Sequence, residues 1–161
     1  MMIPLQGAPS PETAEMNGLP HVLLVVDQFS RNLGGGERIV LKLAALLPRY
    51  GYRASILTFA ADPESPALQS APCPIYLLPL QRTYDLAAMK AALHLRRFLK
   101  QQQVRIVQTF FESSDIWAGF VTKTMSDAKL IWSRRDMGIL RTRKHEIAYR
   151  LLSGFPDAVF A

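Results

Sequence analysis

The chain has 161 residues, of which 49% are hydrophobic and 20% are charged, as is typical of one globular domain. These proportions exclude a disordered or low-complexity chain, and no apolar run approaches the roughly 20 residues of a membrane-spanning helix. The net charge is +6, and all of the excess follows Gln81, where fourteen basic residues face seven acidic ones. Such a basic half can meet phosphate, an anionic lipid surface or nucleic acid.

The first twenty residues contain four prolines but neither a basic start nor an apolar run. We therefore expect residues 1–20 to be a disordered lead-in, not a signal peptide, and residues 21–161 to form the ordered domain. The single cysteine, Cys73, can form no internal disulfide, and no second cysteine completes a zinc pattern. These features predict a cytoplasmic protein.

Apolar runs typical of buried strands alternate along the chain with amphipathic segments typical of helices. The strands are predicted at 21–27, 53–60, 75–78, 104–109, 129–133 and 158–161. The helices are predicted at 39–50, at 85–101, after a cap at Ser113 or Ser114, and from a cap at Thr142 to near Gly154. The third helix would bury Ile116, Trp117, Phe120 and Val121.

This alternation predicts an α/β fold, a doubly wound and mostly parallel Rossmann-like sheet with helices on both faces. Ligands of such sheets bind at the carboxyl ends of the strands. Because the chain stops inside its last predicted strand, we expect it to be the front part of a longer protein.

Three consecutive glycines, Gly34, Gly35 and Gly36, separate the first strand from the first helix. They allow close backbone approach by a ligand, and the free N–H groups of a helix start favour an anion such as phosphate. A plain flexible turn explains the same residues equally well. The next residue, Glu37, suits the helix dipole as well as it suits a ligand contact. Neither a dinucleotide fingerprint nor a Walker-type phosphate loop is present.

Two further segments follow strands and so lie at the predicted ligand edge. Arg134, Arg135 and Asp136 follow the strand at 129–133, and they can clamp a phosphate or carboxylate or simply pair with one another. The segment 108–115 (QTFFESSD) carries hydroxyl, amide and acidic groups that can bind sugar hydroxyls. Helix capping by its serines and aspartate accounts for about half of these groups without a ligand.

The helix at 85–101 has two apolar faces. Ala88, Ala92, Leu95 and Leu99 form a stripe that can face the sheet, while Leu86, Met89 and Leu93 lie on the other side, beside Arg96, Arg97 and Lys100. The second face suits an anionic membrane surface or, more commonly for such stripes, a neighbouring helix. No histidine clusters with acids or the cysteine at metal-ligand spacing, and no pattern for nucleic-acid binding is present.

The segment 34–38 (GGGER), an apolar helix and the segment 50–58 (YGYRASILT) resemble the amino-terminal domain of family 4 glycosyltransferases, whose first loop has the pattern G-G-x-E. The segments 107–110 (VQTF) and 133–138 (SRRDMG) resemble the matching strand ends of that family, in the correct order. The resemblance extends over about residues 21 to 161.

The resemblance implies one half of a GT-B fold: the acceptor-side domain of a retaining enzyme that uses a nucleotide-sugar donor and no bound metal or other cofactor. Gly34, Gly35 and Gly36 would approach the donor phosphates, and Arg134, Arg135 and Asp136 would line the acceptor side. Glu37, Gln108 and Phe110 are the other cleft candidates. Gln108 and Phe110 stand where many members have histidines, a departure that indicates a different acceptor.

Two functions follow as hypotheses. The first is the acceptor-side domain of a glycosyltransferase in glycan biosynthesis, acting on a glycan or lipid-linked acceptor at the cytosolic membrane face. Because the donor-binding domain is absent from these residues, we expect little activity from them alone. The second is a non-catalytic Rossmann-like module that holds an anion or nucleotide through its glycine loop and basic half. The sequence identifies no catalytic residue.

Overall fold

The computed structural model of the protein describes residues 2–5, 18–80, 82–133 and 143–160. The strands are β1 (Ile3–Pro4), β2 (His21–Phe29), β3 (Arg53–Ala61), β4 (Ile75–Leu77), β5 (Val104–Thr109), β6 (Lys129–Ser133) and β7 (Ala158–Phe160). The helices are α1 (Gly35–Leu46), α2 (Pro66–Gln69), α3 (Leu86–Gln101), α4 (Gly119–Met125) and α5 (Arg143–Leu152). A 3-10 turn, Leu47–Tyr50, follows α1, and a π-helical turn, Ser114–Ala118, precedes α4.

The strands form one sheet in the order β1-β4-β3-β2-β5-β6-β7. Every neighbouring pair is parallel except β1 with β4. The chain runs outward from β2 to β4 and then crosses to the other side of β2 to form β5, β6 and β7. The strand order therefore reverses between β2 and β5, and the doubly wound α/β fold predicted from the sequence is confirmed.

The two faces of the sheet carry separate hydrophobic cores. On one face α3, α4 and α5 pack around Leu95 and Trp132, and on the other α1 and α2 pack around Val40 and Ile56. Both faces of β2 are thus covered. This explains the uninterrupted apolar run at 22–26, where no side chain is more than 3% exposed.

Several predicted elements match the structure closely. The bounds of β5 and β6 are those predicted, and the side chain of Asp85 caps α3 by accepting a 2.8 Å hydrogen bond from the N–H of Ala88. The predicted inner stripe of α3 is buried against the sheet. Leu86, Met89 and Leu93 on the opposite face are 76%, 67% and 47% exposed, so no helix of the described chain covers them.

The amino terminus differs from the expected disordered lead-in. Ile3 and Pro4 form an edge strand against β4, where proline is tolerated because its missing N–H faces away from the sheet. The N–H of Leu5 donates to the carbonyl oxygen of Ile75 at 2.9 Å. Residues 6–17 of the lead-in and the predicted cap Thr142 lie outside the described residues.

The helix predicted after Ser113 or Ser114 corresponds to the π-helical turn and α4, and the prediction that Phe120 is buried there is wrong. Its ring is 46% exposed and stacks on Phe155 with 6.2 Å between centroids, whereas Trp117 and Val121 are buried as predicted. The π-helical turn before α4 has more residues per turn than an α-helix. The spacing of three and four residues that marks one face of an α-helix therefore fails across it.

A buried histidine ties β2 to β3 and to the end of α3 at the amino edge of the sheet. His21 Nε2 lies 2.7 Å from Ser55 Oγ, and His21 Nδ1 lies 3.0 Å from the carbonyl oxygen of Gln102. Burial, opposed by the bond to Gln102 and reinforced by the nearby charge of Arg53, lowers the pKa of His21 from 6.5 to about 4. The imidazole is therefore neutral in the folded protein at neutral pH.

Acidification should destabilise the fold through His21. Between pH 6.5 and about 4 the unfolded chain binds a proton that the folded chain does not. The free energy of unfolding therefore falls across this window, by about 3 kcal/mol in all. The free energy of unfolding in urea can be measured near the two ends of this window for the wild type and for His21→Asn. The difference between the two proteins isolates the contribution of His21, because the other titrating groups are the same in both. An equal loss of stability in both proteins would contradict the assignment.

Candidate functional site

A crevice of about 310 Å³ lies at the carboxyl edge of the sheet, where the strand order reverses. Asp27 and Gln28 from β2 and Phe59 from β3 line one part of it. The connection from β4 to α3 contributes Arg82, Thr83 and Tyr84, and Ser113 after β5 completes the lining. Its walls therefore offer a carboxylate, a guanidinium, hydroxyls and aromatic rings, the groups that commonly bind polar ligands such as sugars.

Asp27 is the carboxylate of this crevice and also organises the chain after β5. Its Oδ1 accepts a 2.7 Å hydrogen bond from the N–H of Ser114, and its Oδ2 accepts one of 3.2 Å from the N–H of Ser113. Burial raises the pKa of Asp27 above its usual value, and the hydrogen bonds from Ser114 and Ser113 oppose that shift in part. The carboxylate is well suited to accept a hydrogen bond from a hydroxyl group in the crevice.

The glycine loop, residues 34–36, begins α1 beside the end of β2. The side chain of Glu37, a residue that is only 5% exposed, holds this loop in place. The carboxylate of Glu37 accepts hydrogen bonds from the N–H and the Oγ of Ser30, at 2.8 and 3.0 Å, and from the N–H of Gly34. Its polar atoms are thus engaged by the loop, and Glu37 positions the glycines from behind.

Phe111, in the segment that follows β5, lies against the glycine loop. A Cβ atom built on Gly36 would lie 2.7 Å from Cζ of Phe111, which is too close for two carbon atoms. Only glycine therefore lets the start of α1 pack this near to the ring. Two residues later, Ser113 binds Asp27 and lines the crevice. Gly35, by contrast, faces open space, since no atom lies within 4 Å of an added Cβ. The loop and the crevice thus both adjoin the segment that follows β5, the loop at Phe111 and the crevice at Ser113.

The other cleft residues predicted from the sequence are Gln108, Phe110, Arg134, Arg135 and Asp136. Phe110 is 4% exposed and packs in the core on the α1 side, and Nε2 of Gln108 donates to Ser133 Oγ at 2.6 Å. Neither lines the crevice. Arg134, Arg135 and Asp136 lie outside the described residues. Of the predicted cleft residues, the structure thus brings the glycine loop and Glu37 together.

The polar segment after β5 serves the fold for the most part. Asp115 is 2% exposed and accepts hydrogen bonds from Thr109 Oγ1 at 2.5 Å and from Tyr149 OH at 3.0 Å. The side chain of Ser113 makes no capping hydrogen bond. Ser114 Oγ accepts one of 3.0 Å from the N–H of Phe111, just before the helix, and the carboxylate of Asp27 binds the N–H groups of both serines. Ser113 is the residue of this segment that lines the crevice.

Sequence reasoning missed Asp27, although a signal was present. An acid closes the predicted strand at 21–27, and residues near the carboxyl end of a central parallel strand lie at the ligand edge. In the part of the chain that the structure describes, no three His, Cys, Asp or Glu side chains form a candidate metal site. No described helix is long and apolar enough to cross a bilayer.

The family model for the glycosyl transferase 4-like domain matches residues 34–161, beginning at the first residue of the glycine loop. The chain belongs to this family of glycosyltransferases. The resemblance inferred from the sequence is thereby confirmed. No curated protein matches the sequence significantly.

Solved structures show the same fold for the glycosyltransferase domain. MurG of Acinetobacter baumannii superposes with a TM-score of 0.62 at 20% identity, over 87% of this chain and 40% of MurG. The sucrose-phosphate synthase of Thermosynechococcus elongatus gives 0.65 at 14% identity, over 87% and 41%. HepE of Anabaena, solved in complex with UDP and glucose, gives 0.65 at 16%, over 86% and 37%. The domain thus has the Rossmann-like fold of GT-B enzymes and spans about two fifths of these chains.

The contact of Gly36 with Phe111 predicts different effects of alanine at two adjacent glycines. Gly36→Ala forces the ring aside, whereas Gly35→Ala meets nothing and carries the same change in helix propensity. We expect Gly36→Ala to be less stable than Gly35→Ala by about 1 to 2 kcal/mol in urea unfolding. The difference should vanish when Phe111 is also replaced by alanine. Equal stability of the two single variants would contradict the close approach.

Proposed function

We propose that this domain is the acceptor side of a retaining glycosyltransferase in glycan biosynthesis. It would act in the cytoplasm, moving a sugar from a nucleotide-sugar donor to a glycan or lipid-linked acceptor without a bound metal. The observation that carries the proposal is that an open glycine loop and a crevice lined by the carboxylate of Asp27 lie at the same edge of the sheet. Family membership supports sugar transfer as the kind of chemistry.

The glycine loop is proposed to meet the donor. The N–H of Gly34 is engaged by Glu37, so the amides of Gly35 and Gly36 are the next donors in the first helical turn. These N–H groups and the positive end of the α1 dipole suit the diphosphate of a nucleotide sugar. The open space above Gly35 lets an anion reach the backbone.

The crevice is proposed to hold the acceptor. Asp27 would accept a hydrogen bond from the acceptor hydroxyl and so orient its oxygen, while Arg82 would bind an anionic or hydroxylated part of the same molecule. By family resemblance, Arg134, Arg135 and Asp136 would extend this acceptor surface. Gln108 and Phe110 are not proposed as contacts, because the first binds Ser133 and the second lies in the core.

Nucleotide binding through the glycine loop can be measured with the 161-residue chain. We expect isothermal titration with UDP-glucose and other nucleotide sugars to give weak affinity, because one wall of a two-domain cleft supplies only part of the contacts. Gly35→Val should abolish this binding by covering the loop backbone. Gly154→Val is the matched control, since an added Cβ there also meets nothing.

Two results would count against the proposal. Submicromolar affinity of these residues for a nucleotide sugar would contradict the division of the donor site between two domains. Binding that survives Gly35→Val would place the phosphates away from the glycine loop, and the binding role of the loop would then be wrong.

A further inference from the structure

A buried hydrogen-bond network links β5, the π-helical turn and α5. Its centre is Asp115, which is 2% exposed. Thr109 Oγ1 donates to one oxygen of its carboxylate at 2.5 Å, and the hydroxyl of Tyr149 donates to the other at 3.0 Å. The ring of Tyr149 packs edge-on against Trp132, with 5.4 Å between centroids. The carboxylate is thus bound from both β5 and α5, although it is not among the groups that line the crevice.

The residues just before Asp115 form a compact turn that carries the crevice residue Ser113. We call residues 111–115 the crevice turn. The N–H of Asp115 donates to the carbonyl oxygen of Phe111 at 2.8 Å. Ser114 Oγ accepts a bond from the N–H of Phe111 at 3.0 Å and donates to its carbonyl oxygen at 2.8 Å. Because the two ends of the turn are bonded together, a displacement of Asp115 displaces Ser113 and Ser114 with it.

Three sets of contacts hold the crevice turn in place. Phe111 packs against Gly36 at the start of α1. The N–H groups of Ser113 and Ser114 bind the carboxylate of Asp27. The third set is the buried network, and it reaches the turn from α5, none of whose described residues lines the crevice. A helix away from the ligand edge is therefore bonded to a segment that forms part of that edge.

We propose that Tyr149 is a positioning residue for the ligand site: its hydroxyl, acting through Asp115, fixes where the crevice turn holds Ser113 and Asp27. Burial of a carboxylate carries a desolvation cost that an apolar side chain at position 115 would avoid. What the carboxylate adds is direction, because its two oxygens bind two donors held by β5 and α5. The π-helical turn at this point agrees with such a role, since π-helical turns are rare and often occur at functional sites.

The pKa of Asp27 reports on the network without requiring a ligand. Tyr149→Phe removes the hydroxyl but keeps the ring beside Trp132, so the variant should fold. In the wild type, the hydrogen bonds from Ser114 and Ser113 lower the pKa of Asp27 and oppose the effect of burial. A loosened crevice turn weakens these bonds. We therefore expect carbon NMR of the carboxyl groups to show a higher pKa for Asp27 in Tyr149→Phe than in the wild type.

Two further variants make the comparison specific. Thr109→Val removes the other side-chain donor to Asp115 and should also raise the pKa of Asp27. Tyr76→Phe is the matched control, because it removes a hydroxyl from a ring that packs edge-on against Phe98 of the same core. This control should leave the pKa of Asp27 unchanged.

The outcomes for the pKa of Asp27 decide the proposal. It is overturned if Tyr149→Phe leaves this pKa at the wild-type value, or if Tyr76→Phe raises it as much. Lower stability of Tyr149→Phe in urea with no change in this pKa would assign Tyr149 a purely structural role. An increase in only one of Tyr149→Phe and Thr109→Val would contradict transmission through Asp115. If Tyr149→Phe does not fold, Thr109→Val decides in its place.

A second readout extends the test to ligand binding and rests on the proposed function. We expect Tyr149→Phe to weaken binding of UDP-glucose by about three- to tenfold, because Phe111 of the crevice turn packs against the glycine loop. Tyr76→Phe should bind as the wild type does. Unchanged affinity of Tyr149→Phe would overturn its role in ligand binding. If the wild-type chain binds no UDP-glucose, the proposed function fails, and the pKa of Asp27 still decides the role of Tyr149.

Discussion

The buried carboxylate of Glu37 is the contact on which the arrangement of the ligand edge depends. Its oxygens accept hydrogen bonds from Ser30 at the end of β2 and from Gly34 at the start of α1, and so fix the direction in which the helix leaves the sheet. Removing the carboxylate would leave these partly exposed donors without their protein acceptor, and the loop would lose the contacts that fix it. With the loop fixed, Gly36 can pack on Phe111, and the chain after β5 reaches Asp27.

Much of the fold could be predicted because β2, β5 and β6 are interior strands of the sheet, and the residues that they bury form short apolar runs in the sequence. The bounds of β5 and β6 follow from this pattern alone. The failures occur where tertiary contacts override local pattern. The π-helical turn before α4 exposes Phe120, and the edge strand Ile3–Pro4 forms because β4 offers an unpaired edge, which no local signal reveals.

The crevice lies at the sheet edge where the sequence predicts that ligands bind, but the residues that line it are largely not the predicted ones. The glycine loop was found from its composition, whereas Asp27 was passed over as the end of a strand. Glu37 illustrates the limit: its position in the sequence is compatible with a ligand contact, and only the hydrogen bonds to Ser30 and Gly34 show that it supports the loop from within. Whether a side chain at a strand end faces the crevice or the core depends on packing, as Phe110 demonstrates.

Backbone amide NMR of the chain during titration with UDP-glucose tests most directly whether the carboxyl edge of the sheet is the ligand site. If it is, the largest shifts should fall on Gly35 and Gly36, with smaller ones at Ser113 in the crevice. A second depression, lined by Arg96 and Lys123 among others, provides an internal comparison. Shifts that cluster at that depression, or no shifts at millimolar ligand, would contradict the assignment of the glycine loop and crevice as one site.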